Sequence, residues 1–227
     1  QLVQLVMKYA PYGVFALLGS LLVEVAGNST SNTLDLLGSL GLYALTVIIG
    51  LFVILGIVYP LIYTVTTKKG FLPFLKGILP AQLVAFTTSS SVATLPVTMQ
   101  ACEETLKLKP SVVSFVIPIG ATVNMDGTSL YQAVAAVFIA NVFGFDLTFT
   151  QQLMIILTAT LASIGSAGVP SAGVIMLVIV LESIGVPSAG VALILAVDRP
   201  LDMLRTVVNV TGDCVVCAIV DKTEQKS

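Results

Sequence analysis

Residues 198–213 read DRPLDMLRTVVNVTGD, and they place charged and amide side chains inside an otherwise apolar stretch. The polar positions, spaced 4, 3, 1, 3 and 4 residues apart, are Asp198, Asp202, Arg205, Thr206, Asn209 and Asp213. At about 100° per residue they share one helical face roughly 100–120° wide. The pattern predicts an apolar helix with one strongly polar face. That face is either a structural ion pair between Asp202 and Arg205 or a ligand site.

The composition of the chain indicates a membrane protein. Of its 227 residues, 56% are hydrophobic and 10% are charged, whereas soluble domains carry about 25% charged residues. One charge at mid-bilayer costs roughly 3 kcal/mol, so several charges on one helix face favour the ligand site. The chain has no His and no basic patch, so neither a His-ligated metal centre nor nucleic-acid binding is predicted. It begins at Gln1 with no initiator Met, and we expect it to be a fragment that another part of the protein precedes.

Uncharged runs predict the membrane spans. Residues 9–23 lie between Lys8 and Glu24, and residues 36–67 contain no charge, which is ample for a spanning helix of about 20 residues. We expect Pro60 to kink the second of these helices.

Two further uncharged runs are interrupted. Residues 77–102 contain the polar run 87–91, and residues 147–181 contain the Gly-, Ser- and Ala-rich run 165–173. Lipid offers no partners for the backbone at such a break. Two half-helices that meet at a small-residue tip satisfy the backbone internally, so each run predicts a re-entrant hairpin.

Lysines orient the two hairpins. Lys68, Lys69 and Lys76 precede the first hairpin, and Lys107 and Lys109 follow it, which places both of its ends on the cytoplasmic side. The loops around the second hairpin contain no Lys or Arg, so its ends are expected outside.

We therefore predict an all-α integral membrane protein with four spanning helices and two oppositely oriented re-entrant hairpins, arranged as an inverted repeat. Secondary transporters have this architecture, and their binding sites lie where helices break. The predicted segments are a first span with its outer loop at 1–34, a span at 36–67, an inner hairpin at 72–106, a broken span at 110–143, an outer hairpin at 147–184 and a broken span at 188–220.

The polar residues suggest two kinds of ligand. Arg205 can bind a carboxylate through two parallel hydrogen bonds, and Asp202 can hold an ammonium group. Together they describe a zwitterion with an additional carboxylate. The run 124–128, NMDGT, combines amide and carboxylate oxygens with a glycine that permits local unwinding. Such oxygens suit a hard cation, and with Asn209 and Asp213 they predict a sodium site.

The hairpin tips add further candidates. Residues 89–91, three consecutive serines, stand at the junction of two half-helices, where free N–H groups favour an anion. The small residues at 165–173 suit a flexible lid.

Four motifs in this order, at residues 88–96, 124–128, 162–170 and 202–213, resemble the dicarboxylate/amino acid:cation symporter family. This family includes archaeal aspartate transporters and animal excitatory amino acid transporters. The resemblance implies a homotrimer in the cell (plasma) membrane that transports an acidic amino acid with sodium by an elevator mechanism. It also implies that residues 1–34 contain a fifth-span-like scaffold helix and that 35–227 form the transport domain.

The resemblance also implies roles for individual residues. Substrate contacts are expected from Arg205, Asp202, Thr206, Asn209, Thr128, Ser89, Ser91 and Val169. One sodium is expected among Gly120, Asn124, Asn209 and Asp213. A second is expected on backbone oxygens of Thr122, Met125, Ser163, Ile164 and Ser166. A third is expected to use Asn124 and Asp126 together with a span that precedes this chain.

Departures from the family pattern carry their own expectations. Gln132 stands where animal glutamate transporters have a Glu used in proton and potassium coupling, so sodium coupling without potassium counter-transport is predicted. Ser89 and Met203 occupy positions where family members tend to carry a second Arg, and Arg199 is a candidate substitute. Val92 replaces the fourth serine of the animal pattern, with little expected effect.

Other functions are less well supported. An intramembrane serine hydrolase is disfavoured because no general base is evident, so no enzyme is predicted. An anion channel or a structural bundle does not explain a charged, ligand-shaped stripe. Among symporters, Arg205 argues against a neutral amino acid, and Asp202 argues against a C4-dicarboxylate that lacks an amine.

Overall fold

The computed structural model describes residues 30–224 and the single positions 12, 16 and 19, with side chains described from residue 34 onward. Apart from these single positions, the expected span at 9–23 lies outside the described residues, as does most of the expected segment 1–34. The described part is all-helical, with no strand. Its helices are α1 (Thr30–Val53), α2 (Tyr59–Thr67), α3 (Phe71–Thr88), α4 (Ser91–Gln100), α5 (Pro110–Val123), α6 (Asp126–Val142), α7 (Phe149–Ile164), α8 (Ala172–Ser183) and α9 (Val191–Glu224).

Helices α1 and α2 form one long rod, joined by a π-helical turn at Ile54–Val58. Pro60 lacks an N–H and cannot complete the usual i to i−4 hydrogen bond. The wider turn, in which the Tyr59 N–H donates to the Ile54 carbonyl, absorbs this defect just before the proline.

Helices α3 and α4 pack against each other as a hairpin, as do α7 and α8. The first tip contains Ser89 in a left-handed conformation (φ 52°), which ends α3. Ser90 then caps α4, since its side chain accepts a hydrogen bond from the Ala93 N–H. A short π-helical turn at Ala101–Thr105 follows α4.

The two predicted broken spans differ. The first is interrupted at Asn124 and Met125, between α5 and α6. The expectation of a broken span at 188–220 is wrong, because α9 is one continuous helix preceded by a 3₁₀ turn at Ser188–Gly190. Gly212 does not unwind it. A Cβ there would collide with Tyr59 Oη and lie 2.8 Å from Asn124 Nδ2, so this glycine permits close packing instead.

Helix α9 is the central element of the described part. It contacts α1, α2, α3, α4, α5, α6 and α8. Large apolar side chains, among them Leu72, Phe115 and Ile175, instead face outward from the helices around it. Among the described residues, three stretches are helical, long and apolar enough to cross a bilayer: Leu34–Thr67, Phe71–Thr88 and Ser188–Glu224. These features are those of a membrane protein with α9 in its interior.

Replacing Gly212 by Ala should destabilise the full-length protein by about 1–3 kcal/mol, because the added methyl overpacks the contact with Tyr59 and Asn124. Thermal unfolding of the detergent-purified protein measures the effect. Gly41→Ala is the matched control, since that glycine lies in α1 with open space around it. Equal melting temperatures for the two variants would contradict the proposed packing role.

Candidate functional site

One small cavity lies where the two hairpin tips, the α5–α6 break and α9 converge. Its volume is about 20 Å³, which is little more than the space that one water molecule needs. The lining residues are Ser89, Ser91, Met125, Thr128, Ser166, Ala167, Gly168, Val169, Gly173, Asp202, Arg205, Thr206 and Asn209. All eight residues expected to contact substrate therefore line one cavity, although they come from four separate segments of the chain.

The Arg205 side chain is the charged centre of this cavity and is 1% exposed. Its Nη2 donates to Asp202 Oδ1 at 2.5 Å and lies 3.7 Å from Asp198 Oδ1. Its Cζ lies 3.9 Å from the centroid of the Tyr131 ring, within cation–π range. Two carboxylates and an aromatic face thus offset the burial of this charge.

One donor of Arg205 is left over. Nη1 is buried and has no hydrogen-bond partner among the described residues. Buried polar groups without partners are rare in native proteins and call for an explanation. Gly173 lies beside this nitrogen, because a Cβ on it would be 3.3 Å from Nη1. A guanidinium edge with a free donor suits the carboxylate of a bound molecule.

The outer tip, between α7 and α8, is fastened to α9 through Ser171. The Ser171 N–H donates to Asp202 Oδ2 at 2.9 Å, and its hydroxyl donates to Asp198 Oδ2 at 3.3 Å. The Gln132 side chain of α6 also donates, at 3.0 Å, to the Gly173 carbonyl of this tip. The outer tip therefore closes the cavity against α6 and α9.

The two hairpin tips also touch each other. The Gly168 carbonyl accepts hydrogen bonds from the Ser90 hydroxyl at 2.6 Å and from the Val92 N–H at 3.2 Å. A side chain on Gly168 would lie 2.7 Å from the Ala121 carbonyl, so only a glycine allows this approach. The N-terminus of α4, with Ser91 at its first position, is brought to the cavity in this way.

Asn209 joins α9 to the start of α6. Its Oδ1 accepts the Gly127 N–H at 2.9 Å, and its Nδ2 donates to Thr128 Oγ1 at 3.1 Å. Gly127 permits this contact, because a Cβ on it would lie 2.8 Å from the Arg205 carbonyl. One amide side chain therefore connects the cavity to the break between α5 and α6.

A second polar cluster lies along α9 beyond Asn209. Asn124 Nδ2 donates to Asp213 Oδ1 at 3.1 Å, and Asp213 is 2% exposed. A Cβ on Gly120 would lie 2.5 Å from the same carboxylate oxygen. Three of the four residues expected at the first sodium site are therefore in contact, and Asn209 lies one turn away on α9.

The residues expected at the second sodium site are only partly gathered. Met125 and Ser166 line the cavity with the substrate candidates. Thr122 and Ile164 are exposed, whereas Ser163 is buried and donates to the Thr160 carbonyl.

Two tyrosines next to the site could not be predicted from the sequence. Tyr131 stacks on Arg205, and Tyr59 donates to Asp126 Oδ2 at 2.9 Å. From sequence alone, a single Tyr in an apolar helix is interpreted as a core residue, because its tertiary contacts are unknown. Arg199, the expected substitute for a second arginine, is exposed and does not line the cavity, which argues against a role in the site.

The fold and the site define a class: a helical membrane protein whose interrupted helices meet at a small, charged cavity. The model of the "Sodium:dicarboxylate symporter family" matches residues 1–223, and the chain belongs to this family. This is a family of transport proteins, not of enzymes.

Relatives cover the whole chain. Over 226 residues it is 46% identical to "Excitatory amino acid transporter 4" of Rattus norvegicus, an alignment that includes 100% of this chain and 39% of the relative. It is 48% identical over 221 residues to "Excitatory amino acid transporter 1" of Ambystoma tigrinum (97% and 40%). A Caenorhabditis elegans "Excitatory amino acid transporter" is 46% identical over 220 residues (97% and 43%). The chain thus spans about two fifths of these relatives' lengths.

Removing the Arg205 charge should destabilise the protein by about 3–5 kcal/mol, because Asp202 and Asp198 would be left buried without their cation. Thermal unfolding of full-length Arg205→Ala without substrate tests this. The double variant Arg205→Ala with Asp202→Asn should recover part of the loss, since one carboxylate is neutralised. Strict additivity of the two single effects would contradict the coupling.

Proposed function

We propose that the full-length protein carries out sodium-coupled secondary active transport of an acidic amino acid, aspartate or glutamate, across the cell membrane. The observation that carries the proposal is the buried Arg205 guanidinium, with a free Nη1 donor, beside the Asp202 carboxylate in a small cavity. The family description and the names of the relatives agree with this chemistry.

The substrate replaces an internal ion pair. Asp202 and Arg205 bond to each other in this structure, so each charge is already compensated. A zwitterion with an extra carboxylate supplies an anion to Arg205 and an ammonium group to Asp202. The single ion pair between Arg205 and Asp202 is thereby replaced by two ion pairs with the substrate. Thr128 assists at the side-chain carboxylate and Thr206 at the ammonium group.

The remaining substrate contacts come from the amide of Asn209 and from backbone. The Ser91 N–H and Asn209 hold the α-carboxylate, and the carbonyls of Ser89 and Val169 accept from the ammonium group. These groups all line the cavity. Backbone at the tips is suited to this role because both tips are held in place by hydrogen bonds to Gly168.

Sodium binds to the oxygen-rich segments next to the cavity. Asp213, Asn124 and the Gly120 carbonyl form the first site with Asn209, and Asp126 contributes to the third. The Met125 and Ser166 backbone, with Thr122, Ser163 and Ile164, forms the second site. Oxygen ligands of this kind suit a hard cation.

Coupling between ion and substrate follows from shared residues. Asn209 touches Gly127 and Thr128 on α6 and lies one turn from Asp213 on α9. A cation that orders the α5–α6 break therefore also orders one wall of the substrate cavity. Each ligand raises the affinity for the other through this common wall.

Entry of an amino acid requires a wall to move, because the free space admits little more than one water molecule. The outer tip is the moving wall, since Ser171 and Gly168 hold it by a few hydrogen bonds. We further propose that both hairpins are re-entrant. Residues 35–227 slide as the transport domain of an elevator against a scaffold in a homotrimer.

Sodium-driven uptake in vesicles that contain the full-length protein tests the proposal. Aspartate uptake should require an inward sodium gradient, and Arg205→Ala should lower it by roughly 100-fold or more, the loss expected for a buried charge pair. Arg199→Ala is the matched control, because this arginine of the same helix is exposed. Uptake that ignores sodium would refute the mechanism.

Competition by unlabelled compounds in the same assay distinguishes the remaining substrate classes. Aspartate and glutamate should compete strongly, whereas a neutral amino acid lacks the group that Arg205 binds. A C4-dicarboxylate without an amine should compete weakly because Asp202 repels it.

Potassium should not drive the return of the empty transport domain to the side from which substrate is taken up. Gln132 is fully buried and donates to the Gly173 carbonyl, and its neutral amide does not titrate. Internal potassium in place of choline should therefore leave the rate of sodium-driven uptake unchanged. A several-fold stimulation by internal potassium would contradict this role for Gln132.

A further inference from the structure

Tyr59 is a buried phenol that touches the cation-binding region from outside the four family motifs. It is 3% exposed, and its hydroxyl lies 2.9 Å from Asp126 Oδ2 and 3.2 Å from the Val208 carbonyl oxygen. These two acceptors belong to different helices, α6 and α9. A phenol has one proton to donate, so it can satisfy only one of them at a time.

The π-helical turn at Ile54–Val58 determines the direction in which the Tyr59 side chain points. Tyr43 and Tyr59 are both buried, yet in an unbroken α-helix their 16-residue separation would place them about 160° apart. One additional residue accommodated in the turn at Ile54–Val58 reduces this angle by about 100°. Without it, Tyr59 would point away from α9. π-helical turns of this kind frequently occur at functional sites.

The space around the hydroxyl is also shaped for it. Gly212 of α9 lies under Tyr59 Oη and beside Asn124 Nδ2, where any side chain would collide. Asn124 in turn donates to Asp213. The phenol oxygen is therefore packed between the two carboxylates of the predicted sodium sites, Asp126 on one side and the Asn124–Asp213 pair on the other.

The orientation of the Asp126 carboxylate depends on its hydrogen-bond partner. Asp126 is the first residue of α6, directly after the α5–α6 break, and its carboxylate accepts a hydrogen bond from Tyr59 there. The Tyr59 hydroxyl bond is a charge-assisted contact of the stronger kind. A cation site requires its carboxylate to be in place before the ion arrives, because ordering it later costs binding energy.

We propose that Tyr59 is a positioning residue for sodium. Its hydroxyl holds the Asp126 carboxylate in the orientation that binds the ion, and it turns its proton to the Val208 carbonyl once the ion is bound. The hydroxyl keeps a partner in both states. Val208 adjoins Asn209, so the same movement links the ion to the substrate wall. This inference rests on the proposed function, in which Asp126 is a sodium ligand.

Tyr59→Phe in the full-length protein removes the hydroxyl and keeps the ring. We expect the sodium concentration for half-maximal aspartate uptake to rise about tenfold, with maximal uptake at saturating sodium within about twofold of the parent. Tyr63→Phe is the matched control, one turn later on α2. Tyr63 packs on Phe71 and Phe74 and takes no part in the cluster around Asp126. It should leave the sodium dependence unchanged.

Several outcomes would overturn the role of Tyr59. An unchanged sodium dependence in Tyr59→Phe refutes it, and a lower half-maximal concentration shows a competitor of sodium rather than a holder of Asp126. Loss of maximal uptake at unchanged sodium dependence shows a structural residue only. Tyr59→His keeps a ring donor and should fall between the parent and Phe, which retains a test if one variant does not fold. A parent protein that ignores sodium would instead refute the proposed function.

Discussion

The buried ion pair between Arg205 and Asp202 is the constraint on which the rest of the site depends. A guanidinium at 1% exposure is tolerable in an apolar interior only if opposite charge accompanies it. Asp202 and Asp198 supply that charge from the same face of α9, and Ser171 ties both carboxylates to the outer tip. The position of the outer tip and the compensation of the Arg205 charge are therefore set by the same few atoms.

The cavity is connected to the Asn124–Asp213 cluster by close backbone approach. Gly127 lies against the Arg205 carbonyl, and its N–H donates to Asn209. Gly168 lies against the Ala121 carbonyl, and its own carbonyl accepts from Ser90 in the tip between α3 and α4. Backbone groups freed at the breaks thereby find protein partners, as they must in a bilayer. The irregular segments of this chain are held in place by one another, which links the cavity, the Asn124–Asp213 cluster and the outer tip.

Much of this arrangement could be predicted from the sequence. The polar positions 202–213 lie on one face of a helix because their spacing follows the helical repeat, and the tips at 89–91 and 165–173 interrupt apolar runs too plainly to be continuous helices. The shared cavity of all eight substrate candidates agrees with the roles that the family resemblance implied, which the spacing of the motifs alone does not give. The break expected in the last span is wrong, because polar residues within an apolar run look the same in a sequence whether the helix is interrupted or continuous.

The sequence by itself determined a helical membrane protein with a charged stripe and two interrupted apolar runs, because burial of polar groups in lipid leaves few alternatives. The four motifs, in their order, pointed to the family. Only the tertiary structure decided which groups meet. Tyr59 reaches Asp126 through a π-helical turn whose effect on side-chain direction no local pattern reveals. Arg199 is near the stripe in sequence yet faces outward, whereas Arg205 faces inward. The direction in which a side chain points, toward the interior or outward, depends on packing between distant segments, and local composition does not encode it.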